Sequence, residues 1–228
     1  MHPERRDSFF GRRKGKPLRP RQLALVETLL PQLRIDTEQP PPKSLAEMFD
    51  HRPDAICLEI GFGGGEHLIA QAEANPDQGF IGVEPFQNGM AKALSAIDQL
   101  GLRNIRLYDQ DAAWLLDWLP PRSLARVDLL YPDPWPKMRH WKRRFVGKAN
   151  VDNIARVLKP GGLFRFASDS DTYVAWTLKH LAGRDDLVCR TASAAEWSKP
   201  WPGWKQTRYE AKAIREGRPP AYLIFERV

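Results

Sequence analysis

From residue 55 onward the chain alternates between two kinds of apolar pattern. AICLEIG (55–61), GFIGVE (79–84), NIRLYDQD (104–111), RVDLLYP (126–132) and GLFRFAS (162–168) are compact runs, too short for helices, that end at Gly, Pro, Ser or an acid. They read as buried strands. Between them, apolar residues at helical spacing predict helices over 65–74, 86–102, 112–119, 146–162 and 171–181, and two further strands are expected at 186–192 and 221–228. Ahead of this alternation, 21–33 suits a short helix stopped near Pro31, and QPPPK (39–43) a stiff linker. Strands and helices that alternate with short connections make βαβ units with right-handed crossovers. The expected fold is α/β, a doubly wound, Rossmann-like domain with a mostly parallel seven-stranded sheet and helices on both faces. Ligands of such sheets sit at the carboxyl ends of the strands.

Composition narrows the function classes. No apolar run approaches the length of a membrane span, and the basic N-terminus is not followed by an apolar segment, so no secretory signal is expected. Cys57 and Cys189 both lie in strand-like runs and are expected to be buried, reduced thiols, which suits a cytoplasmic protein. No Cys/His cluster has metal-ligand spacing, so no metal is expected. The net charge of +7 is unevenly placed. Residues 1–21 carry eight Lys and Arg against two acids, and KMRHWKRRFVGK (137–148) carries six with none. The remainder is therefore net acidic. Two basic clusters on an acidic body favour a polyanionic partner. Residues 1–20, polar and rich in Pro and Gly, are expected to form a disordered basic arm, with a single domain over 21–228.

The first predicted strand runs into LEIGFGGGEH (58–67). Glycines here let the backbone turn tightly and let a ligand approach closely. A dinucleotide loop would need glycine where Glu66 stands, and a carboxylate there would repel a pyrophosphate. Gly61, Gly63 and Gly65 instead make Gly-x-Gly-x-Gly, preceded by Glu59. That pattern is similar to the cofactor loop of S-adenosylmethionine-dependent methyltransferases, whose cofactor carries an ammonium group rather than phosphate. Glu84 ends the second predicted strand, where a carboxylate can accept ribose hydroxyls. Asp111 ends the third, within reach of an adenine amino group.

The fourth strand leads into PDPWPKMRHWKRR (132–144). Pro132 and Pro134 restrict the backbone on both sides of Asp133, so its carboxylate is aimed. Trp135 supplies a stacking face, and the following cations reach outward. One base inserted in a pocket while phosphates are held outside would need this layout.

The same run resembles the signature of bacterial tRNA (guanine-N7-)-methyltransferases. The resemblance extends over most of the chain through LEIGFGGG, GVEPF, YPDPWPK, LKPGG, ASD before Tyr173, and QTRYE (206–210). It implies a methyltransferase fold, S-adenosyl-L-methionine as cofactor, and methyl transfer to N7 of a variable-loop guanine in tRNA. Cofactor contacts are implied at Glu59, Glu84, Asp111 and Asp133; the aimed carboxylate of Asp133 is also expected, from its own placement, to be catalytic by accepting hydrogen bonds from the guanine edge. Contacts to tRNA or the target guanine are implied at Lys137, Asp169, Thr207, Arg208, Tyr209 and Glu210. The basic run adds Arg139, His140, Lys142, Arg143 and Arg144 as expected RNA contacts. LKPGG is expected to act as a helix stop. Some relatives have His in place of Pro136 and Lys in place of Arg208, and Trp141, Trp201 and Trp204 are less typical of the family. A monomer is expected, with a dimer as the alternative, and no membrane partner. Two other readings share these features: a methyltransferase with a different acceptor, and a non-catalytic RNA-binding module that keeps the fold.

Overall fold

A computed structural model of the chain describes residues 9–191 and 193–228. Its strands are β1 (Ile56–Ile60), β2 (Gly79–Val83), β3 (Ile105–Tyr108), β4 (Leu124–Leu130), β5 (Leu158–Ser168), β6 (Leu187–Cys189) and β7 (Ala221–Arg227). They form one sheet in the order β3-β2-β1-β4-β5-β7-β6. The first five are parallel, and β7 runs antiparallel to both β5 and β6. The helices are α1 (Pro20–Thr28), α2 (Leu30–Leu33), α3 (Glu66–Ala74), α4 (Gln87–Leu100), α5 (Ala112–Trp118), α6 (Lys148–Val157), α7 (Asp171–Leu181), α8 (Ala194–Trp197) and α9 (Arg208–Arg215).

Strand side chains alternate between the two faces, and each face has its own core. Ile56, Leu58, Ile60, Val127, Leu129 and Phe166 pack with residues of α5, α6 and α7. Cys57, Phe80, Ile105 and Leu107 pack on the other side with α3, α4 and the α1–α2 segment. Farther along this second face, Leu130, Ala167 and Tyr222 are covered by Trp201. Between these two apolar zones lie the buried Asp128 and two half-buried arginines. Arg126 Nε donates to Asp128 Oδ2 at 2.8 Å, and Arg165 stands over the Trp201 ring.

Three expectations are corrected. The helix expected over 146–162 stops at Val157, with Leu158 of LKPGG as its C-cap, and LKPGG itself runs on as the start of β5. The ladder between β4 and β5 is irregular there, shifting between Leu124 and Arg126, and Gly161 takes a positive φ of 76°. Cys189 is exposed near the end of the short edge strand β6, whereas Cys57 is buried and its thiol is pushed up to about 11 by desolvation. The helix expected over 21–33 is broken into α1 and α2 ahead of Pro31.

The N-terminal arm lies partly outside the described residues. Residues 9–19 have no helix or strand, but their backbone is tied to the body. Gln87 N–H donates to the Arg13 carbonyl at 2.9 Å, and Asn88 both accepts from Gly15 N–H and donates to the Lys16 carbonyl, each at 2.7 Å. Among the described residues no helix is long and apolar enough to cross a membrane.

Candidate active site

β1, β2 and β4 end together, and a cavity of about 800 Å³ opens beyond them. One wall is the glycine loop. Gly61 N–H and Phe62 N–H both donate to the Val83 carbonyl, which stitches the loop to β2. Gly63 has φ 59°, and a Cβ there would lie 3.2 Å from the Tyr209 ring. Behind the loop, a Cβ on Gly89 of α4 would lie 2.2 Å from the Gly63 carbonyl oxygen, so only glycine lets α4 pack this closely. Gly89 went unnoticed in the sequence, although a lone glycine interrupting FQNGMAKAL is a signal of close approach. Gly65 begins α3 and faces Ala93 of α4, outside the cavity wall.

Glu84 follows β2 into the cavity and is buried. Its two carboxylate oxygens accept from Gly63 N–H at 2.7 Å and Phe86 N–H at 2.8 Å. Burial outweighs those two donors and raises its carboxyl to about 7. Asp111 stands past the end of β3, which closes at Tyr108. It caps α5 by accepting from Ala113 N–H at 2.9 Å and also lines the cavity.

Glu59 is placed differently from the other acids. It projects from the second sheet face, where its Oε2 lies 2.8 Å from His67 Nδ1 of α3. Burial lowers the His67 pKa, but the adjacent Glu59 carboxylate outweighs it and the net direction is upward. The pair borders a separate space beside Gly61, about 10 Å³ and large enough for roughly one water.

The facing wall is the Pro-Asp-Pro-Trp loop. Tyr131 (φ 49°) and Trp135 (φ 43°) both take the left-handed conformation, which is costly for a bulky aromatic. That turn presents Asp133 to the cavity, where partial desolvation raises its carboxyl. Residues 138–143 then form a 3₁₀ turn that begins after Lys137. Lys137, Arg139 and Lys142 are exposed, and His140 meets the Trp135 ring edge-on at 5.9 Å. The Arg143 guanidinium stands over both Trp135 (4.9 Å) and Phe10 (5.3 Å).

Arg144 was expected to contact RNA, and the structure gives it another task. It is buried, and it donates to the Pro134 carbonyl (3.0 Å), the Thr172 carbonyl (2.8 Å) and Thr172 Oγ1 (2.9 Å). Its guanidinium also packs over Trp141 and Tyr173. It therefore clamps the Asp133 loop to α7. Thr207 and Glu210 are likewise engaged inside the protein. They form the capping box of α9, and Glu210 also accepts from Trp204 Nε1 at 2.7 Å and from the Tyr222 hydroxyl. Arg208 and Tyr209 remain outside, with Arg208 Nη2 donating to the Tyr209 hydroxyl at 3.0 Å beside Gly63. Asp169 accepts from Arg218 Nε at 2.7 Å. Among the described residues no group of three or more His, Cys, Asp or Glu could hold a metal ion. Phe9 and Phe10 of the N-terminal segment and Asn153 of α6 also line the cavity. Nothing in the sequence set them apart.

The donor set fits S-adenosylmethionine: buried acids for hydroxyl and amino groups, an unobstructed Gly61, and, among the described residues, no cation beside the glycine loop to suit a pyrophosphate except Lys92 and Arg208, which lie against Glu66. Residues 53–223 match the family model described as "Putative methyltransferase". The chain is 58% identical over 221 residues to a tRNA (guanine-N(7)-)-methyltransferase of Rhizobium meliloti (strain 1021), covering 97% of this chain and 95% of that one. It is 57% identical to the protein of the same name from Chelativorans sp. (strain BNC1), covering 100% and 98%. Among solved structures, an rRNA methylase from Streptococcus thermophilus shares the fold, with TM-score 0.51 and 15% identity over 81% of this chain and 92% of that one.

Proposed function

The chain belongs to the tRNA (guanine-N(7)-)-methyltransferase family, and from that premise we infer that it methylates N7 of a guanine in tRNA with S-adenosylmethionine as donor. The observation that carries this reading is the pairing of an acid-lined glycine-loop cavity with an aromatic and basic mouth built around Asp133. When bound, the cofactor supplies a methyl carbon held by a sulfonium; the N7 lone pair forms the new bond while the old carbon–sulfur pair returns to sulfur, leaving the base cationic. N7 carries no proton, so the reaction needs no proton acceptor to begin. The protein's contribution is then alignment, worth about 7–11 kcal/mol in well-oriented systems, and electrostatic support of the charged base.

In this reading Glu84 and Asp111 hold the cofactor's hydroxyl and amino groups, and Gly61 and Gly63 let it approach the loop. Glu59 reaches it only from the neighbouring space beside Gly61, where His67 holds its carboxylate. Asp133 accepts hydrogen bonds from the guanine edge and offsets the charge that develops there. Lys137, Arg139, His140 and Lys142 meet phosphates, as do the cations of residues 12–21. Arg208 and Tyr209 contact substrate from the other side of the glycine loop.

The test is incubation of the protein with labelled S-adenosylmethionine and bulk tRNA, followed by nucleoside analysis. Label in 7-methylguanosine is the expected result. Label in another nucleoside would mean a methyltransferase with a different acceptor, and no label at all would favour an RNA-binding module.

A further inference from the structure

Phe10 is held at the cavity mouth from outside. The three backbone-directed bonds to Gln87 and Asn88 anchor Arg13, Gly15 and Lys16, and the chain running back from them carries Phe10, half exposed, to the rim. Opposite stands Trp135, brought there by a left-handed backbone. The Arg143 guanidinium lies over both rings, and among the described residues no carboxylate pairs with it. A planar cation that no carboxylate among the described residues pairs with thus rests against two aromatic faces, in the cavity that Asp133 also lines.

We propose that Phe10 and Trp135 form the seat of the acceptor base, and that Arg143 fills it until RNA displaces the guanidinium. This rests on the methyl-transfer reading above. A purine has the planar shape that both rings can stack on, with base–aromatic stacking a general means of holding an unstacked base. N7 methylation also turns that purine from neutral to cationic. Aromatic faces attract a cation, so the seat holds the charged base more tightly than the neutral one. Interactions that strengthen as charge develops accelerate the chemical step rather than substrate binding alone. Once displaced, the Arg143 guanidinium is free to meet a phosphate.

The experiment is single-turnover methylation of tRNA by wild type, Phe10→Leu and Phe10→Tyr, with cofactor affinity measured separately. Leucine keeps apolar bulk but removes the ring. Turnover of Phe10→Leu should fall about tenfold, between the exposed and the desolvated scales of a cation–π contact, with cofactor affinity unchanged and Phe10→Tyr near wild type. In competition, 7-methylguanosine monophosphate should inhibit wild type at lower concentration than guanosine monophosphate, and the difference should vanish in Phe10→Leu. Asn88→Ala, which frees the segment without touching the cavity wall, should reproduce the loss. Wild-type turnover in Phe10→Leu overturns the seat. So does a defect confined to cofactor affinity, which would make Phe10 a cover. Either result leaves the methyl-transfer reading standing if wild type still produces 7-methylguanosine in tRNA, whereas its absence from the wild-type product removes both.

Discussion

Glu84 holds its proton more tightly in the folded protein than in the unfolded chain, at about 7 against an ordinary 4.5. Its contribution to stability is therefore full below the ordinary value and declines as pH climbs to about 7. Hydroxyl donors from a bound cofactor favour the ionised form and work in the opposite direction. Cofactor affinity should rise with pH up to about 7 and then level off, with a proton released on binding below that point. Calorimetry in buffers of different ionisation heat would read this directly. Glu84→Gln should bind cofactor more weakly by roughly 1.5–3 kcal/mol and lose the pH dependence. Asp133→Asn keeps size but loses charge. Its turnover should fall about 100-fold or more, as when one preorganised electrostatic group is lost, with a smaller effect on cofactor affinity. Both acids were legible in the sequence because they follow predicted strand ends. What the sequence could not show is that Glu59, one residue short of the end of β1, turns away from the cavity to His67 of α3.

The loops differ from the strands in how much of their role could be read in advance. The Pro-Asp-Pro-Trp loop was legible as a rigid presenter of Asp133, but its anchor was not. Arg144 sits in a run of surface-type cations, and only the fold reveals that Thr172 and Pro134 surround it. Arg144→Met should leave the half-buried Pro134 and Thr172 carbonyls without their donor and cost about 1 kcal/mol of stability, seen as a lower melting temperature. Arg139→Ala and Lys142→Ala should instead leave melting unchanged and each reduce the salt slope of tRNA binding by about one. Helix α9 also escaped prediction. Its apolar residues are mostly small, and what fixes it is the Thr207–Glu210 capping box and the bonds Glu210 makes to Trp204 and Tyr222. LKPGG misled because Pro and Gly mark a helix end and a strand irregularity equally well.

At the scale of the whole molecule, the alternation of short and long apolar runs was enough to expect the sheet and its two layers. The antiparallel insertion of β7 was not legible, because strand order depends on packing far from the local pattern. The charge map also sharpens. Residues 1–8 carry two Arg against two acids, so the arm's entire excess lies in 9–21. Removing residues 2–8 should leave the salt dependence of tRNA binding nearly unchanged, whereas removing 2–16 should flatten it and slow turnover. Filter binding over a salt series separates the two. The insertion of β7 has a consequence for biosynthesis. The strand made last lies inside the sheet, between β5 and β6, and its Tyr222 holds the helix that presents Tyr209 to the glycine loop. A ribosome must therefore have extruded residues 221–227 before β6 has any partner or α9 its anchor. Nascent chains stalled short of that point should stay sensitive to protease and bind no cofactor, even with every acid of the cavity already translated.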